Sequence, residues 1–286
     1  MRYLNLSKIN NQKKYTYKIA DSEYLSDESI DVFSCWRQNN SYEDFKFSIT
    51  TKYSVSSNLF QDCAYIGENA YGLCVDSIEP SGYLLKTKNQ KYQLNINTIQ
   101  CNSHSIDDAL LLGPVLILNL AMNKVFCLHA SAFLLKGKVF ILMGDSGTGK
   151  STIAKFLDKQ PQVQRIADDI LPLKIVNDNL TVLPNFPQLK LTIHEQYKGG
   201  AIVTETILLF AQKSNDETEL NYVDNFESIK SLIKHSVATK LFAKDELQNH
   251  LSFCHQVSSK AKSYSLNYQH SKKGLNQLYN LLNEIN

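Results

Sequence analysis

The chain has 286 residues, 43% of them apolar, enough for one large or two smaller domains around a sizeable core. Thirty Lys and Arg against 28 Asp and Glu leave a net charge of +2, which argues against a general nucleic-acid binder and assigns most lysines to a solvated surface. Six cysteines without C-x-x-C spacing, a polar start (MRYLNLSKINNQKKYTY) and no uninterrupted run near the roughly 20 apolar residues of a membrane span point to a reduced, cytoplasmic protein.

Residues 1–105 are rich in Tyr, Ser, Asn and Thr, with short apolar or alternating pieces such as FKFSITTKYSV, YGLCVDSI, GYLLKTKN and YQLNINTIQ. Punctuation at Asn39-Asn40, Pro80-Ser81-Gly82 and Asn89 predicts antiparallel strands and hairpins. This region carries no recognisable chemistry and reads as a scaffold or a recognition surface. Residues 106–286 form the second predicted domain. Ser105 to Asp108 has capping-box spacing ahead of the apolar run 109–122, which predicts a buried helix that Pro114 kinks or delays. A strand over 125–131, a hairpin turning at Lys136-Gly137 and a fully apolar strand over 139–143 follow. A helix opens at Ser151, and a strand over 163–167 ends in Asp168-Asp169. Residues 171–210 read as further strands and 225–286 as mainly helical. A last helix over 273–285 places Leu275, Leu278, Leu281, Leu282 and Ile285 on one face.

Gly144-Asp145-Ser146-Gly147-Thr148-Gly149-Lys150-Ser151 matches the phosphate-binding pattern G-x-x-x-x-G-K-[ST] at every fixed position, between a buried strand and an amphipathic helix. Its glycines let the backbone turn N–H groups inward around phosphate oxygens. The helix adds its positive N-terminal end, with Thr152 in the first turn. Lys150 supplies a point charge, and the Ser151 hydroxyl offers a ligand to Mg²⁺.

One helix and one strand fit between Ser151 and the acidic pair, which brings the carboxylates to the cradle side of a parallel sheet. Adjacent carboxylates allow a division of labour, one on the metal and one taking a proton from an attacking hydroxyl. His129 closes a hydrophobic strand. Hydrogen-bonded to Asp168, it would orient that carboxylate and tune its proton affinity.

His129-Ala-Ser-Ala, the lysine-glycine turn, GDSGTGKST and the ADD triplet together resemble the catalytic domain of HPr kinase/phosphorylase. The likeness is clear over 111–174 and weaker through Pro184-Asn-Phe-Pro-Gln-Leu-Lys-Leu191 and 226–241. Nothing between Asp169 and Gly200 matches the glycine-rich loop of that family that docks HPr. The chain is therefore more similar to stand-alone HPr-kinase-like enzymes that phosphorylate a small peptide, such as lasso-peptide precursor kinases. The resemblance implies an α/β fold with an α+β tendency. Its parts would be a phosphoenolpyruvate-carboxykinase-like P-loop core, an N-terminal mainly antiparallel β region and a C-terminal helical tail. It implies ATP and Mg²⁺, Asp168 as general base with His129 as its partner, Ser151 and Asp169 as metal ligands, Lys190 reaching a phosphate or the substrate, and a ring-like homo-oligomer.

The leading expectation is a kinase acting on a Ser or Thr hydroxyl of a peptide or small protein. A small-molecule kinase for an amino acid or sugar, and a nucleotide-binding regulatory protein without transfer chemistry, remain open beside it.

Overall fold

The computed structural model of the chain describes residues 15–26, 29–38, 47–50, 64–67, 70–75, 81–86, 97–101, 111–214 and 217–285. The chain is a mixed α/β protein in two compact units, Met1–Leu111 and Leu112–Asn286. No helix among the described residues is long and apolar enough to cross a membrane. The capping-box stretch at 105–108 lies outside the described residues.

The first unit holds one eight-stranded sheet. Its strands are β1 (Tyr15–Ile19), β2 (Ser22–Ser26), β3 (Arg37–Gln38), β4 (Phe47–Thr50), β5 (Ala64–Gly67), β6 (Ala70–Val75), β7 (Ser81–Lys86) and β8 (Asn97–Cys101), in the spatial order β3-β1-β2-β4-β8-β7-β6-β5. All neighbours are antiparallel except β2–β4 and β4–β8, which are parallel. The β1–β2 turn places Ala20 and Asp21 at φ 47° and 56°, the left-handed pair that matches the twist of a two-residue hairpin. Tyr17 packs edge-to-face on Phe33 at 5.4 Å, and its hydroxyl accepts from the Ile30 N–H at 2.8 Å. A large aromatic ring is thereby buried without orphaning its polar tip.

The second unit is built on two sheets. The smaller has the order β14 (Asn179–Val182), β13 (Ile170–Val176), β9 (Phe126–His129). The larger runs β12 (Val163–Ala167), β10 (Ser131–Leu135), β11 (Lys138–Met143), β15 (Thr206–Ser214), β17 (Lys262–Gln269), β16 (Glu219–Tyr222). Three consecutive strands of it, β11, β15 and β17, are mutually parallel. Their C-terminal ends therefore reach one edge together, where open α/β sheets place their ligands. Helices α1 (Leu116–Met122), α2 (Lys150–Leu157), α3 (Asn225–His235), α4 (Lys244–Lys260) and α5 (Lys272–Glu284) complete the unit. Ile153 and Leu157 of α2 and Leu278 and Leu282 of α5 pack into one core with Phe140, Leu142, Ile207, Leu209, Leu266 and Tyr268 of the central strands. Phe133 and Phe140 stack at 5.5 Å within it.

Several predicted elements change on folding. The strand expected over 125–131 is two strands broken at Ala130, which belong to different sheets. Residues 183–205 are irregular rather than strand, apart from an isolated bridge between Val182 and Ile202. The stretch read as mainly helical contains β17, the strand beside β15. Its sequence, KSYSLNYQ, is too polar to announce a central strand, but its Ser263, Leu266 and Tyr268 are fully enclosed. Gly113 leaves helical geometry at ψ −112° between helical residues on either side, so Gly113-Pro114 marks a kink, and α1 runs on from Leu116. The Lys136-Gly137 turn forms as expected, with both residues at positive φ.

Leu209 is fully buried on the central strand. Leu209→Ala is expected to lower unfolding free energy by about 2–5 kcal/mol, read from the urea midpoint at unchanged slope.

Candidate active site

The loop leaving β11 wraps tightly because its glycines admit what other residues would not. Gly147 and Gly149 adopt φ 79° and 96°. A Cβ on Gly144 would meet the Ala211 carbonyl oxygen at 2.8 Å, and one on Gly149 would collide with the Tyr268 hydroxyl. Tyr268 is fully buried and its hydroxyl has no hydrogen-bond partner among the described residues. Gly149 is the N-cap of α2 and offers no side-chain acceptor, so the first-turn N–H groups of α2 lack a cap. Ser146, Gly147, Gly149, Lys150, Ser151 and Thr152 line a pocket of about 310 Å³.

Gly144, Asp145 and Thr148 shape the loop instead of lining that pocket. The Asp145 carboxylate turns to Lys234 at 2.7 Å, which ties the loop to the end of α3, and the Thr148 hydroxyl donates to the Asp145 carbonyl at 2.8 Å. Lys150 Nζ donates to the carbonyls of Gly144 and Asp145 at 2.6 and 3.2 Å. Burial, and after it the charge of Lys190, holds the Lys150 ammonium below its ordinary range.

The opposite wall is a corner where two chain segments cross between the small sheet and the large one side by side, in opposite directions. His129 pairs with Ile170 in the small sheet, Ala132 with Ala167 in the large one, and the Ala130 N–H donates to the Asp169 carbonyl at 3.0 Å between them. The crossing brings out His129 and Ser131 from one segment and Asp168 and Asp169 from the other. Asp168 is buried and lines the pocket with His129, Ala130, Ser131, Lys190 and His270. The Ser131 hydroxyl donates to Asp168 Oδ1 at 2.8 Å, and Arg165 Nη1 lies 3.7 Å from Oδ2. Burial pushes this carboxyl above its ordinary range, against the lowering pull of Ser131 and Arg165.

His129 does not pair with Asp168 as expected. Its Nε2 is 3.3 Å from Asp169 Oδ1, which also accepts from Lys190 Nζ at 2.7 Å. Adjacent residues in an extended chain point to opposite sides, so the corner sends one carboxylate to Ser131 and the other to His129. Burial raises Asp169, but hydrogen bonds from His129 and Lys190 outweigh it and leave the carboxyl below its usual range. Asp169 does not line the P-loop pocket; it is on the wall of a neighbouring cavity.

Sequence reasoning missed the residue that holds the acidic turn. Gln188, 2% exposed, accepts with Oε1 from three consecutive N–H groups, those of Asp168 (3.2 Å), Asp169 (3.0 Å) and Ile170 (3.2 Å). Its Nε2 donates to the carbonyls of Ile170 at 2.6 Å and Phe186 at 3.2 Å. Gln196 in turn accepts from the Gln188 N–H and donates to its carbonyl, at 3.0 and 2.7 Å. Ser131 and His270, whose ring meets Tyr268 edge-on at 5.7 Å, were missed as well. Ser131 lies in the His129-Ala-Ser-Ala stretch and Gln188 in the 184–191 stretch, but nothing local in either announces its partner; the fold brings them to the acidic turn.

No protein-family model matches the chain, and no curated protein matches it.

Gln188→Ala would strip the acceptor from three partly or wholly buried N–H groups. It is expected to cost about 1–3 kcal/mol of unfolding free energy, and more than Gln196→Ala in the same urea titration. Burial first, then the charge of Lys234, holds His235 down to about 4 from 6.5. Between those values the unfolded chain binds the extra proton, so this residue's contribution to stability falls as the pH drops through that window. His235→Asn should flatten the fall in urea midpoint between pH 7.5 and pH 4.5.

Proposed function

We propose that the chain is an ATP- and Mg²⁺-dependent phosphotransferase with a phosphoenolpyruvate-carboxykinase-like, HPr-kinase-like core, acting on a hydroxyl of a peptide or small protein. The observation that carries this reading is that the N-terminal turn of α2 and the buried Asp168 carboxylate line one pocket. A helix N-terminus with inward N–H groups and a lysine suits the phosphates of a nucleoside triphosphate. A carboxylate buried across from it suits proton removal from an acceptor hydroxyl.

Each group has a role set by its surroundings. Asp168, with its proton affinity raised, takes the acceptor's proton as the γ-phosphoryl group passes to that oxygen and the nucleoside diphosphate departs. Ser131 holds the Asp168 carboxylate in place through its 2.8 Å hydrogen bond. Lys150 exchanges its loop carbonyls for phosphate oxygens, and Lys190, already at the pocket wall, brings a second positive charge. Of the two expected magnesium ligands Ser151 lines the P-loop pocket, whereas Asp169 would have to turn from His129 and Lys190 to reach an ion there. The Ser151 hydroxyl makes no hydrogen bond to another described side chain, and Asp169 is held ionised, as a hard-cation ligand must be. Such sites take most of the ion's ligands from phosphate and water, so one or two protein oxygens suffice. When bound, magnesium neutralises charge on the phosphates.

The test is transfer of labelled phosphate from ATP with Mg²⁺ to serine-containing peptides. Asp168→Asn should lower kcat by about 10²–10⁴-fold while ATP binding persists. Lys150→Ala should weaken both. Because the raised Asp168 must be ionised to act, kcat/KM should fall on the acid side with a midpoint above the ordinary carboxylate value of 3.8. ATP binding without transfer to any hydroxyl would overturn the assignment.

A further inference from the structure

We infer that the acceptor is a peptide carrying a large apolar residue beside its hydroxyl residue, and that a second cavity behind the acidic turn receives that apolar side chain. This rests on the phosphotransferase reading above.

The cavity has a volume of about 330 Å³ and lies in the same unit as the P-loop pocket. Ile117, Ile170, Phe186, Leu189, Val237 and Leu241 supply most of its wall. Asp169 is the one charged side chain among its described lining residues. The two residues that engage Asp169, His129 and Lys190, line the P-loop pocket. A single ion-paired layer therefore separates the cavity from the pocket that holds Asp168. Whatever fills the cavity sits next to the hydroxyl that Asp168 would deprotonate.

The wall chemistry selects the occupant. Phosphate, sugar or any charged group would lose its water against this surface and find no partner other than a carboxylate that is already engaged. An apolar group gains by leaving water there. The volume is at the small end of ligand clefts, a size suited to one large side chain. The rim then favours a peptide over a small alcohol. Leu189 is 57% exposed, and Ile193, further along the same irregular segment, is 51% exposed. Leu189 lines the cavity and Ile193 does not, so a chain extending along this segment would cover both, whereas a ligand confined to the cavity would leave Ile193 in water. The segment is firmly placed for this, because Gln188 and Gln196 pin its backbone and Thr192 donates to Glu195, which also binds Arg165.

The experiment uses the full chain, ATP and Mg²⁺, and serine peptides flanked on either side by Leu, Phe, Ala or Asp. Leu and Phe peptides should show a peptide KM about tenfold or more below the Ala and Asp peptides, the scale on which apolar pockets discriminate. Leu189→Ala and Leu241→Ala should raise KM for the Leu peptide by a similar factor and leave KM for ATP unchanged. Leu189 is exposed, so its variant should keep the wild-type unfolding midpoint. A labelled Leu peptide with Ala in place of Ser reports binding by fluorescence anisotropy without transfer. Equal KM values across the panel, or variants without effect on the peptide, would overturn the inference while leaving the phosphotransferase assignment intact. Transfer to a free aliphatic alcohol but to no peptide would overturn the peptide occupant. If no hydroxyl is phosphorylated, the phosphotransferase reading itself falls. The non-reacting peptide still decides the cavity, since its binding must depend on both the apolar residue and Leu189.

Discussion

Everything at the site hangs on the backbone of three residues, Asp168 to Ile170, and one buried glutamine side chain holds all three. Gln188 gives a single oxygen to three successive N–H groups and returns its amide to the Ile170 carbonyl. Such a turn, without a sheet partner for those groups, would leave partly or wholly buried donors unpaired, at a cost of about 1–3 kcal/mol for the turn. The clamp removes that cost and sets the direction of the adjacent side chains. With the turn fixed, Asp168 meets Ser131 and Asp169 meets His129 and Lys190. Two carboxylates next to each other in sequence are thereby given opposite proton affinities, one by burial and one by its donors. Environments that push paired acids apart are the physical basis for assigning them different tasks.

The corner works because both segments change sheets at the same place. A strand that stayed in one sheet would alternate its side chains between two covered faces, and a polar residue on either face would need a buried partner. Breaking β9 from β10 and β12 from β13 at the same level opens the sheet edge, so that Ser131 and Asp168 face a pocket. The parallel run β11-β15-β17 delivers the P-loop, the α2 N-terminus and His270 to that edge from the other direction. The loop is packed hard against this framework. Gly144 fits under Ala211 and Gly149 against Tyr268, so the glycine spacing answers to neighbouring strands and not only to the phosphate proposed for the loop.

The cradle's local features were legible in the chain. The spacing of Gly144, Gly147, Gly149, Lys150 and Ser151 fixes backbone dihedrals and a helix start, both governed by neighbouring residues. The apolar run 139–143 announces a strand buried on both faces, and Lys136-Gly137 announces a tight hairpin, for equally local reasons. The acidic pair was visible as two carboxylates at a strand end. β17 was not visible, because its polar, weakly alternating sequence becomes a central strand only through the neighbours that enclose it. Nor was the irregular course of 183–205, where apolar residues such as Leu183 and Phe186 are buried by tertiary contact rather than by strand alternation.

The sequence by itself determined a phosphate-type loop on a strand–helix junction, a pair of carboxylates one strand later and a β-rich first region ahead of an α/β second one. These depend on short-range preferences: glycine freedom, apolar runs and helix starts. Only the tertiary structure decided which carboxylate each partner meets. It sent His129 to Asp169 and Ser131 to Asp168, and it brought Gln188 from an irregular segment to hold them. Those outcomes depend on where two sheets diverge and on hydrogen bonds between residues far apart in the chain, and no local pattern encodes such a meeting.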